Sequence, residues 1–130
     1  MKGAEMRTAI TFGHALAALL ALSPVHADEV PDALAVEWQG RKPCEMLFED
    51  VKIRVLRCTF EPTGVHVRHQ HPANLVYTLS GGKVRAQDAQ GTRERESKTG
   101  AFSINKPIAW HEVTNIGDTT LQYLIVEMKY

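Results

Sequence analysis

The chain has 130 residues, 15 basic and 15 acidic side chains and a formal net charge of zero with neutral histidines. That length carries one modest domain. The balanced charge, without a basic stripe, excludes a nucleic-acid surface, and no basic amphipathic helix argues for a membrane surface.

Lys2 and Arg7 precede a mostly apolar run from Ala9 to Leu22, followed by Ser23-Pro24 and Val25-His26-Ala27. Small side chains at the −3 and −1 positions, after a core too short to span a bilayer, predict a secretory signal peptide over residues 1–27, cut after Ala27. A periplasmic or secreted product without a membrane anchor is the expectation. Residues 28–45, broken by Pro31 and by Gly40-Arg41-Lys42-Pro43, read as an N-terminal arm or a short helical turn around Asp32 to Trp38.

From residue 46 onward the character changes. Leu47 to Glu49 and Ile53 to Phe60 read as two strands about an Asp50-Val51-Lys52 turn. If the hairpin turns near Val51, Cys44 and Cys58 lie opposite each other. An oxidising compartment allows a disulfide there, while two buried or free thiols is the other reading. Further strands are predicted at Val65 to His71, Leu75 to Leu79, Lys83 to Gln87, Thr92 to Ser97, Ala101 to Ile104, Trp110 to Asn115 and Thr120 to Lys129. Eight or nine short strands, with turn signals about every eight to twelve residues and no convincing helix, predict an all-β sandwich or barrel over residues 46–130.

The chemistry concentrates in two stretches. His69 and His71 are two residues apart on a predicted strand, so both imidazoles face one side. His111 follows the Pro107 turn on another strand. His66 is out of phase with the pair and is expected to face away with Arg68 and Gln70. Glu112 is likewise out of phase with His111. Asn74, Val76 and Thr78 share one face, which places Asn74 toward a cavity. Tyr77, Phe102, Trp110 and Tyr123 read as packing or subunit-interface aromatics, and Arg93-Glu94-Arg95-Glu96 as a solvated face. No Ser-His-Asp set, phosphate loop or pair of catalytic carboxylates is present.

On these residues the chain resembles the small, secreted, single-domain bacterial cupins. Gly64, His69, His71 and Gly81 follow that family's first motif with spacings one residue short in two places, and Asn74 stands where the motif has a glutamate. Gly100, His111 and Asn115 follow the second, with Pro107 one place late and Ala109 replacing a glycine. The resemblance implies a jelly-roll barrel, the double-stranded β-helix, holding a divalent cation (Fe, Zn, Mn, Ni or Cu) on His69, His71 and His111. An amide at position 74 offers only a weak neutral oxygen in place of a carboxylate, so Asn74 is a cavity contact or weak ligand. Three-histidine cupins include dioxygenases. A metal-dependent enzyme on a small molecule is therefore one implied function, and a non-enzymatic metal- or ligand-binding cupin is the other. A structural role with a vestigial cavity is a third reading. A homodimer paired through edge strands suits such a fold.

Overall fold

The computed structural model describes residues 28–130 together with Gly3; the leader read at residues 1–27 otherwise lies outside the described residues. Among the described residues nine strands follow one another without a helix: β1 (Cys44–Glu49), β2 (Ile53–Phe60), β3 (Val65–His71), β4 (Asn74–Ser80), β5 (Gly82–Asp88), β6 (Gly91–Ser97), β7 (Phe102–Asn105), β8 (Ile108–Asn115) and β9 (Leu121–Met128). They form a five-stranded sheet in the order β1-β2-β9-β4-β7 and a four-stranded sheet in the order β3-β8-β5-β6. Every pairing between these strands is antiparallel.

Alternation drives the assembly. Along β9, Leu121, Tyr123, Ile125 and Glu127 are buried and their neighbours are not. Leu56, Cys58 and Phe60 of β2 and Val84 of β5 complete a core between the sheets. Burying an aliphatic side chain of this kind contributes about 1.5–3 kcal/mol relative to leaving it exposed. Gly81 joins β4 to β5 where a Cβ would come within 2.8 Å of the Thr99 nitrogen, so the turn tolerates no side chain.

Cys44 and Cys58 are register partners on β1 and β2 and are joined in a disulfide, which decides between the bridged and free readings. The segment before β1 forms no helix. A turn closes with the Ala35 amide donating to the Asp32 carbonyl at 2.9 Å. The segment is tied to β3 instead: the Gln70 amide donates to the Pro31 carbonyl at 2.9 Å, and Ala33 is fully buried in the core.

His66 departs from the phase expected of it. Between His66 and His69, β3 spends three residues while β8 spends two, from Val113 to His111. This β-bulge reverses the alternation, so His66 turns inward with His69 and His71, and only Arg68 remains fully exposed.

Candidate metal centre

β3 and β8 bring the three histidines together. His69 and His111 are direct register partners across the strand pair, and a second irregularity follows between His69 and His71. The Nε2 atom of His69 lies 2.9 Å from Nε2 of His71 and 2.9 Å from Nε2 of His111. His69 is fully buried and His71 nearly so. The cluster could hold a metal.

The outer nitrogens determine what the inner ones offer. Nδ1 of His69 donates to the Val67 carbonyl at 2.7 Å, an acceptor inside the bulge. Nδ1 of His71 donates to Oε1 of Glu127 at 2.5 Å. In the neutral rings both Nε2 atoms then carry lone pairs, pointed at each other across less than 3 Å. A hydrogen-bond acceptor outside a ligating ring, fixing its tautomer and orientation, is the usual support of a metal-binding imidazole. The donor set fits a divalent cation, for which bonds to imidazole nitrogen run about 2.0–2.1 Å. Burial, with the neighbouring histidines adding to it, pushes the His69 imidazole down to about 2 and His111 down to about 3. Both rings are therefore unprotonated ligand forms at neutral pH.

Glu127 is the residue that motif reasoning misses. It is fully buried, contacts His71 and pairs through its other oxygen with the Arg54 guanidinium, which also pairs with Asp32. Its register partner on β4 is Asn74. The carboxylate expected at position 74 thus stands directly across the strand pair, acting on a histidine from outside. The signal was available in the alternation of β9, where Glu127 falls in phase with Leu121, Tyr123 and Ile125. An acid on the core face needs a buried partner.

Asn74 is buried on the cavity wall. Its Nδ2 donates to the Pro72 carbonyl at 2.9 Å and its Oδ1 accepts from Asn105 Nδ2 at 2.9 Å. Both functions of the amide are engaged beside the cluster. His66 is not part of the trio. It stacks on His69 with ring centroids 3.5 Å apart and contacts the Ala33 carbonyl through Nε2 at 2.9 Å. Cys44, Cys58 and His66 make a second close group of donors, but the disulfide leaves no thiolate there.

In front of the histidines opens a cavity of about 430 Å³, walled by His71, His111, Asn74, Ile125 and Tyr123 and rimmed by charged side chains of β5, β6 and the β7–β8 turn. Tyr123 is in the core, whereas Phe102 and Tyr77 are exposed on neighbouring strands at the β7 edge. Trp110 carries the Arg68 guanidinium over its ring at 4.3 Å.

No family model matches the chain, and no curated protein matches it in sequence. Solved structures do match it in fold. A cupin domain from Bordetella pertussis Tohama I superposes with a TM-score of 0.64 at 19% identity, covering 67% of this chain and 92% of that one. A conserved protein with a double-stranded β-helix domain from Klebsiella pneumoniae gives 0.58 at 18% identity, covering 74% and 84%. A cupin-like protein from Thermotoga maritima gives 0.55 at 23% identity, covering 66% and 67%. The chain has the cupin double-stranded β-helix fold.

Proposed function

We propose that the protein is a secreted, metal-dependent cupin enzyme that holds one divalent cation on His69, His71 and His111 and acts on a small molecule in the adjoining cavity. One observation carries this reading: the Nε2 atom of buried His69 lies 2.9 Å from those of buried His71 and half-buried His111, and two of the three rings have the opposite nitrogen already committed to an outer acceptor. A bound cation would supply Lewis-acid polarisation of a substrate oxygen or, as iron, a site for dioxygen. The chain's own residues fix the ligands. Val67 orients His69, Glu127 orients His71, and the arm with β2 holds Glu127 in place through Arg54 and Asp32.

The alternative is a binding protein that uses the same cation and cavity without turnover. It is favoured by the cavity's lack of a free base: among the described lining residues the one carboxylate, Asp88, is paired with Arg93.

Elemental analysis of protein purified from its native compartment tests the metal. About one cation per chain is expected, with His69→Ala and His111→Ala each abolishing it. Metal-free wild-type protein after anaerobic, chelator-free handling would defeat both readings. Oxygen uptake with candidate thiols, phenols and diketones separates them, since turnover of any one supports the enzyme and saturable binding without turnover supports the binder.

A further inference from the structure

The alternating segment Arg93-Glu94-Arg95-Glu96 is sorted by the sheet into two faces. In the β5–β6 pairing, Arg95 lies opposite Val84 and Arg93 opposite Ala86, the inward residues of β5. Both arginines line the cavity. The glutamates belong to the other face, where Glu94 accepts from Arg85 at 2.7 and 3.0 Å. The strand is solvent-exposed, as its sequence reads, and it also brings two guanidinium groups to the lining of one cavity.

The two arginines differ. Arg93 is already satisfied by Asp88, with nitrogens 2.5 and 3.3 Å from its carboxylate oxygens. Arg95 forms no ion pair among the described residues, and neither does Lys106 of the β7–β8 turn, which lines the same cavity. Arg95 is also near enough to His111 for its charge to act on that ring. The lining therefore presents three cations against one carboxylate. A cation held by three neutral imidazoles would add its full charge to the same space. Arg93, Arg95 and Lys106 are solvent-exposed at the rim, and charges of one sign lining a cleft attract an oppositely charged molecule into it.

We propose that the cavity selects a small organic acid, with Arg95 and Lys106 receiving its carboxylate at the mouth and the remainder of the molecule extending toward His71 and His111. This rests on the reading of the cavity as the ligand site and deepens it by naming the substrate class. Arg95 offers the planar donor fork that suits a carboxylate, and Lys106, which lines the same cavity from the β7–β8 turn, offers a point charge. A neutral molecule of the same shape gains neither contact.

The test uses a matched pair one charge apart, benzoate and benzamide, titrated by calorimetry and ligand-observed NMR into the zinc-loaded and the metal-free protein. In the zinc-loaded protein, benzoate is expected to bind at least tenfold more tightly than benzamide. Arg95→Gln combined with Lys106→Gln should reduce that preference at least fivefold, leaving benzamide affinity and zinc stoichiometry unchanged. The metal-free protein should keep a weaker preference for the acid that the same double variant removes. Failure to hold zinc would therefore count against the metal reading and not against this one. Equal affinity for acid and amide, no saturable benzoate binding, or a preference that survives the double variant overturns the proposal.

Discussion

Cys44, Cys58 and His66 form a close group of donors, as do His69, His71 and His111: in each group the donor atoms fall within 4.8 Å of one another. The two groups touch, since His66 stacks on His69. They differ in what the surroundings have done with the donors. The sulfurs of the first are spent on each other, and the His66 ring is held by a carbonyl of the N-terminal segment. In the second group the outer nitrogens of His69 and His71 are engaged and the inner ones are left facing a shared point beside a cavity. Proximity of ligand-type residues is common to both, while the commitments of their remaining atoms separate a structural staple from a site.

The largest break in that comparison is expected at Glu127. Glu127→Gln removes the buried charge that holds Arg54 and weakens the acceptor that orients His71. Breaking a buried ion pair costs about 3–5 kcal/mol, and the low end applies because Asp32 still faces Arg54. Loss of an outer-shell partner typically lowers metal affinity about 10–100-fold. Chemical denaturation and a zinc competition titration should show both effects together. Wild-type zinc affinity in the Glu127→Gln variant would mean that His71 needs no orientation from outside.

Cutting the staple should separate the two effects. Cys44→Ser with Cys58→Ser opens a link between residues 14 apart in sequence. Closing a loop of that size contributes about 3 kcal/mol. Stability is expected to fall by about that amount in urea unfolding, while zinc stoichiometry and affinity stay within about twofold. A loss of zinc in this variant would show that the two groups depend on each other through the His66–His69 stack.

The strands and the three histidines were legible because each depends on a local rule. Period-two alternation and turn residues placed the strands to within two residues except at β1, which starts three residues before the expected Leu47, and two spaced motifs pointed to His69, His71 and His111. Two features were not legible, for different reasons. The inward turn of His66 comes from a bulge, one extra residue on β3 counted against β8, and a strand's own sequence does not state how its partner is counted. The role of Glu127 depends on register between β4 and β9, strands separated by four others in the chain, which place it opposite Asn74. The motif position at 74 reads as a lost carboxylate. In the fold, a carboxylate stands across from it and acts through His71.

The smallest expected effect concerns the one residue that joins the two groups. Burial pushes His66 down to about 3 in the folded protein, against about 6.5 for an unfolded histidine. Between those values the unfolded chain takes up a proton that the folded chain does not, so stability falls as pH falls from about 6.5 toward 3. The slope approaches about 1.4 kcal/mol per pH unit for each such histidine. In the metal-free protein His69 and His111 act in the same direction over the same range. His66→Phe keeps an aromatic ring on His69 and removes one of these protons. It also leaves the Ala33 carbonyl without its partner, a cost of about 1 kcal/mol that does not vary with pH. Urea unfolding of the metal-free variant at several pH values should therefore give a line lower at pH 7 and shallower by about 1.4 kcal/mol per unit below pH 6. An unchanged slope would mean that His66 takes up its proton inside the fold, and the ring between staple and site would then be charged at acid pH.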